Sequence, residues 1–217
     1  MKNIFIIFLI SILTNAYAIS SLREGGFPAI WWQETLDKNV PAWEILPDNA
    51  IKGKSVILSK RNELGILSNF ASTSIIFENK RYASLEGAWQ SMKFPESIND
   101  RRYKSDRLPF TRSEVERMVG FKAKRAGGLA SKLMKKHGVN FVTYKKKKMI
   151  YKTPDKGEHY RLIRQMMKAK LDQNVQVRRV LRATGKLVLL PDHHNKSKVV
   201  PPAWKYNEIW MDLRTTL

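Results

Sequence analysis

Glu86, Gln90 and Lys93 stand at i, i+4 and i+7 of one stretch, a spacing that lines three polar side chains along one side of an α-helix. Ser84 is placed to cap that helix. Glu86 then falls in the first turn, where free N–H groups and the helix dipole favour a carboxylate. Glycosidic cleavage passes through an oxocarbenium-like state that carboxylates support, and a nearby lysine can hold a phosphate. Taken alone, the same stripe is what any solvated helix decorated with Glu and Lys displays. Asp192, His193 and His194 offer a carboxylate and two imidazoles, common zinc ligands. Their neighbours Asn195, Lys196 and Lys198 favour a solvated loop. The chain has no cysteine, which excludes thiol catalysis, Cys-based zinc sites and a disulfide scaffold. The reading calls for no metal and no cofactor.

The elements that must position these residues follow from periodicity. Leu85, Ala88, Trp89 and Met92 form the apolar face of the Glu86 helix, closed by Phe94-Pro95. Before it, 55–59 reads as a short strand, and Glu78-Asn79-Lys80 as a turn between two more. A short helix is expected near 33–38. Past Pro109 the chain reads as mostly helical: Ser113 and Glu116 have capping-box spacing, Gly127-Gly128 is expected to interrupt the helix that follows, and Gly138 to stop the next. A strand over 140–144 leads into Lys145 to Lys148, four consecutive lysines that must be exposed. Helices are expected over 158–171, from Asn174 to Gly185, and over 207–217, with an extended segment over 187–190. The fold class expected is α+β: a mainly helical single domain with a small antiparallel sheet in its N-terminal third.

Two segments, running from Ser59 to Phe70 and from Ser84 to Phe94, resemble the signature segments of the NADAR (YbiA-like) family. That family reads G-x-x-S-N-F, a short hairpin, then T-x-E-H-x-x-Q-x-x-K-F. Gly65, Ser68, Asn69, Phe70, Glu86, Gln90, Lys93 and Phe94 occupy the matching positions. Gln165-Met166-Met167, Lys170-Leu171, Arg182 to Gly185 and the closing Trp204…Asn207…Arg214 extend the resemblance over 56–217, with a Lys-rich insertion near 139–153. The resemblance implies an N-glycosidase that cleaves the C–N bond of a ribosyl-phosphate or ADP-ribosyl substrate. It makes Glu86 the catalytic carboxylate, gives Arg61, Asn62, Asn69, Gln90 and Lys93 to the ribose and its phosphate, and makes Phe70 a pocket wall. The sequence departs from the family at Gly87, where the family has His, and at His159, where it has a stacking Trp. The substrate-binding residues carried over from it also include His159, and Asp192 and Trp204 in the stretch that replaces its acidic Y-W-G loop.

Lys2, the apolar stretch 4–13 and Ala16-Tyr17-Ala18 form a signal-peptide pattern over 1–18, too short to span a bilayer. Residues 19–55 form a Pro- and Trp-rich extension. Lys and Arg total 40 against 19 Asp and Glu, a formal charge of +21, which suits anionic partners, nucleic acid among them. The expectation is thus an exported protein, periplasmic or secreted, with no membrane span after cleavage. It hydrolyses a ribosyl-phosphate or ADP-ribosyl compound, nucleotide-like or on modified nucleic acid. The alternative is a basic nucleotide- or nucleic-acid-binding protein on the same scaffold.

Overall fold

Ser84 begins the helix that carries Glu86 by accepting a hydrogen bond from Gly87 N–H at 2.9 Å and donating one to the Met118 carbonyl at 2.9 Å. The computed structural model describes residues 26–97, 100, 102, 103, 106, 108–194 and 200–217. The signal-peptide reading over 1–18 lies outside them. In chain order the strands are β1 (Ser55–Ile57), β2 (Ile75–Phe77), β3 (Lys80–Tyr82), β4 (Phe141–Tyr144), β5 (Lys147–Ile150) and β6 (Val188–Leu190). The α-helices are α1 (Leu85–Ser91), α2 (Arg112–Glu116), α3 (Gly120–Lys136), α4 (Glu158–Gln173), α5 (Val175–Ala183) and α6 (Tyr206–Arg214). This is an α+β domain, mainly helical, whose strands among the described residues form three two-stranded sheets.

The β2–β3 hairpin is the antiparallel sheet the sequence places ahead of the Glu86 helix, with Ile75 opposite Tyr82. The β4–β5 hairpin repeats the device, with Lys145 and Lys146 at its turn, both at positive φ (49° and 63°). Two successive positive φ values give the twist a two-residue hairpin needs. The third sheet pairs β1 with β6 in parallel, Val56 opposite Leu189. Its partners lie far apart in sequence, so no local pattern announces it, yet it brings Lys60 beside Asp192.

Three local expectations are corrected. The segment 33–38 is not helical; the chain instead makes a 3-10 turn over Ala29–Trp32, which buries Trp31 completely and lets its indole N–H donate to Glu63. The capping box is Thr111 with Glu114, not Ser113 with Glu116; Glu116 is buried and paired with Lys80 and Arg112. Gly127-Gly128 does not interrupt α3, which runs unbroken from Gly120 to Lys136. Gly127 is needed for close approach: a Cβ there would lie 1.6 Å from Gln90 Oε1.

The core is built from α4, α5, α6 and the β1–β6 pair around Leu58, Met166, Met167, Leu189 and Trp210. A smaller apolar cluster of Phe94, Val115, Met118, Ala123, Ala126 and Ala130 fastens α1 to α2 and α3. Just past α1, Arg102 donates to the Met92 and Phe94 carbonyls, Arg112 donates to that of Phe94, and Tyr103 donates to that of Lys93. Both ends of α1 are therefore anchored by other elements.

Candidate active site

A solvated helix would present Glu86, Gln90 and Lys93 to water. Instead they are 5%, 4% and 7% exposed, and every residue of α1 is buried. Their stripe lines a cavity of about 560 Å³ whose other walls come from Trp43, the 68–70 segment, α3, the 151–152 stretch, the 192–194 loop and Trp204. Gln90 Nε2 donates to Glu86 Oε1 at 2.8 Å. Lys93 Nζ donates to Ser131 Oγ at 2.9 Å, and that hydroxyl passes its hydrogen to the Gly127 carbonyl, also at 2.9 Å. Each polar group of the stripe is thus held in place by a partner on α1 or α3.

The 68–70 segment is fixed through its backbone. The Leu67 carbonyl accepts from Trp210 Nε1 at 2.7 Å, the Ser68 carbonyl from Lys170 Nζ at 2.9 Å, and the Asn69 carbonyl from Glu86 N–H at 2.9 Å. Three successive carbonyls bound by three elements leave Asn69 and Phe70 facing the cavity. Asn69 Oδ1 and Trp204 Nε1, on two residues that line the cavity, are buried without a hydrogen-bond partner. Buried polar atoms are nearly always satisfied, and two orphans on its lining residues mark the cavity as a place for a polar ligand.

The electrostatics are uneven. Burial pushes the Glu86 carboxyl above its ordinary value, opposed by Lys124, the Gln90 hydrogen bond, Lys93 and His193. Burial brings the Lys93 ammonium down to about 8, with Glu86 acting to hold it up. Lys60, Lys93, Lys124 and Lys152 face the cavity against only Glu86 and Asp192, so an anion entering it meets a net positive lining. Burial alone would raise Asp192, but contacts with His193 and Lys60 hold it below the usual carboxylate range. The Trp43, Phe70 and Phe121 rings meet edge to face at the cavity, with Lys60 Nζ 5.2 Å from the Phe70 centroid.

Of the residues singled out from the sequence, the structure gathers Glu86, Asn69, Phe70, Gln90, Lys93, Asp192 and Trp204 around one cavity. Arg61, Asn62 and His159 lie outside its lining. Arg61 makes a two-pronged bond to Glu44 at 2.8 Å on each arm and a third contact to Asp37, and so clamps the 37–44 segment. Asn62 caps the turn over Glu63–Leu67 through Leu64 N–H and donates to the Ile30 carbonyl. His159 sits behind the Trp89 ring, edge-on at 5.0 Å, with burial driving its imidazole down to about 4. Position 87 also points away from the cavity: a Cβ there would meet backbone oxygens of Val115, Glu116 and Met118. Gly87 and His159 therefore contribute no side chain to the cavity lining.

Sequence reasoning missed Trp43, Lys124, Ser131, Tyr151, Lys152 and His193 as lining residues. A signal existed for α3, where Phe121, Lys124, Gly128 and Ser131 recur at i, i+3, i+7 and i+10 and form a second stripe facing the first. None existed for Trp43 or His193, which arrive through the pairing of Glu44 with His193.

Lys170 offers a physical check on this arrangement. Its side chain is fully buried, and burial brings the ammonium down to about 7 from 10.5. Below pH 7 both folded and unfolded chains hold the proton, and the cost of the buried charge is borne in full. Between about pH 7 and 10.5 the unfolded chain binds more protons, so stability rises with pH. Urea titrations of wild type and Lys170→Met across pH 6–10 should show a steeper rise in wild type, because the lowered Lys93 ammonium adds its own rise to both proteins; parallel curves would contradict it.

No family model and no curated protein matches this chain. Among solved structures, the chain is similar to the NMR structure of the E. coli protein YbiA, at 18% sequence identity and a TM-score of 0.47, over 77% of this chain and 86% of that one.

Proposed function

We propose that this protein is an exported N-glycosidase that hydrolyses the C–N bond of a ribosyl-phosphate or ADP-ribosyl substrate, free or attached to nucleic acid. The observation that carries the reading is the buried Glu86 carboxylate, oriented by Gln90 and bordered by Lys93 in a cavity with aromatic walls and a cationic lining. About 560 Å³ lies within the range of small-molecule sites. In this reading Lys93 and Lys124 bind the phosphate, whose charge is worth most where water is excluded. The Phe70 and Trp43 rings border the base. Glu86 supports the positive charge that grows at C1′ and accepts a proton from the attacking water. Burial raises its proton affinity above that of an ordinary carboxylate, which favours the second task.

The test is release of free base by the purified protein from ribosyl compounds offered with and without a 5′-phosphate, together with ADP-ribosylated DNA. The reading expects turnover of a phosphorylated compound and a loss of at least tenfold in kcat/KM when the phosphate is removed, about 1.4 kcal/mol. Absence of turnover on every compound would reject it.

A further inference from the structure

The established geometry leaves one pair of cavity groups without a task. His193 Nδ1 lies 2.9 Å from Asp192 Oδ1. An ionised carboxylate only accepts, so the imidazole carries its hydrogen on that nitrogen and has Nε2 left to serve a ligand. Asp192 is 2% exposed and is held from three other sides: Lys60 binds its second oxygen, the Tyr206 hydroxyl donates to Oδ1 at 3.2 Å, and the Ile45 N–H binds its carbonyl at 2.9 Å. The His193 ring lies parallel to Tyr206, with an interplanar angle of 1° and centroids 6.2 Å apart. The loop itself is tied down by the His194 N–H to the Trp43 carbonyl at 3.2 Å and by the Glu44–His193 bridge, while Arg61 clamps Glu44. Although its side chain is 42% exposed, His193 is held by a buried carboxylate, a parallel ring and a backbone bridge to Glu44 at once. A base oriented by a third group is the arrangement expected of an imidazole that moves protons.

From this geometry we infer that His193 is the general acid of the reaction, oriented by Asp192 and acting on the leaving base across the cavity from Glu86. The inference rests on the glycosidase reading. As the C1′–N bond breaks, its electron pair passes to the base nitrogen, which takes the proton from Nε2 of the His193 imidazolium. Water adds its oxygen to C1′ and gives a proton to the Glu86 carboxylate. Transfer of that proton back to His193, directly or through solvent, restores both groups. The net change is one water consumed, one sugar hydroxyl and one N–H formed. Asp192 fixes the ring by accepting from Nδ1–H; it is a positioning residue.

A general acid matters only when the leaving group needs a proton. A purine or other neutral base does; a pyridinium base departs uncharged and does not. The experiment compares wild type, His193→Gln and Glu86→Gln on two ribosyl 5′-phosphates differing only in that respect, with thermal melts to confirm folding. His193→Gln should lower kcat on the neutral-base compound by about 10²–10³-fold, the usual range for an acid–base group, and alter kcat on the pyridinium compound by less than about threefold. Equal losses on both compounds, or no loss on either, overturn the general-acid role while wild-type turnover leaves the glycosidase reading in place. Failure of wild type on both compounds overturns the two together. His193 is partly exposed on its side chain, so the substitution leaves the core untouched; Asp192→Asn should reproduce the same selective loss in milder form if Asp192 acts through the ring.

Discussion

Glu86→Gln is expected to lower kcat by about 10³-fold or more while leaving the folded protein and its grip on phosphate intact. Removal of one preorganised charge from a water-excluded site typically costs 10²–10³ in kcat, and the same substitution also abolishes the base that receives the water proton. The change is isosteric. Gln90 Nε2 can still donate to the Oε1 that remains, and Lys93 keeps its bond to Ser131. Because burial disfavours the Glu86 carboxylate, neutralising it should leave the thermal midpoint unchanged or slightly higher. The check is kcat and KM on the phosphorylated substrate, the Kd of ribose 5-phosphate, and a melting curve for each protein. A kcat within tenfold of wild type would remove Glu86 from the chemistry. A collapse of Kd alongside kcat would make it a binding group instead.

Gly87→Ala is the second large effect, and intrinsic propensity predicts the opposite sign. Alanine inside a helix is favoured over glycine by about 0.5–1 kcal/mol. Here the new Cβ would lie 2.5 Å from the Met118 carbonyl oxygen and 2.9 Å from that of Val115. Both are backbone atoms, and Met118 O already receives the Ser84 hydroxyl, so the 115–118 segment cannot yield without breaking the cap of α1. A loss of about 3 kcal/mol, at the upper end of overpacking costs, should appear as a drop of roughly 10 °C in the melting temperature for a chain of this size. Gly128→Ala is the internal control. It lies one residue beyond Gly127 in the same helix region of α3, and a Cβ there meets nothing within 4 Å, so that variant should gain stability by the propensity term. If both variants are stabilised, the close packing of α1 on 115–118 is wrong.

The stripe of Glu86, Gln90 and Lys93 was legible because helical periodicity is local: Ser84 caps, Leu85 and Trp89 set the apolar side, and the polar residues follow. What periodicity could not tell was that the polar side is also buried. That depends on α3 lying close against α1, which Gly127 permits through the absence of one side chain. Read locally, the same Gly127-Gly128 pair looks like a helix break; tertiary contact with Gln90 gives it the opposite meaning. Asn69 and Phe70 were found by resemblance, yet the cause of their placement is three backbone carbonyls bound by Trp210, Lys170 and Glu86, and no side-chain pattern reports a bound carbonyl. Arg61 and Asn62 were given to the substrate by resemblance alone, and resemblance does not report their partners in space. Their partners, Glu44 and the Ile30 carbonyl, lie in the Trp-rich segment, whose 3-10 turn and extended runs carry no strong period. His193 was read as part of a solvated loop because its neighbours in sequence are polar, and its side chain is 42% exposed; what the sequence did not show is its contact in space with Asp192, Tyr206 and the 43–45 segment.

The measurement that bears most directly on the central claim is oxygen-18 incorporation. Wild type and Glu86→Gln are incubated with the phosphorylated ribosyl substrate in H₂¹⁸O, and the released sugar phosphate is analysed by mass spectrometry immediately after quenching. The account predicts free base together with sugar phosphate carrying one heavy oxygen, located at C1, from wild type, and intact substrate from the variant. Intact substrate from wild type, or unlabelled sugar phosphate under conditions where exchange at C1 is slow, would contradict hydrolysis of the C–N bond in this cavity.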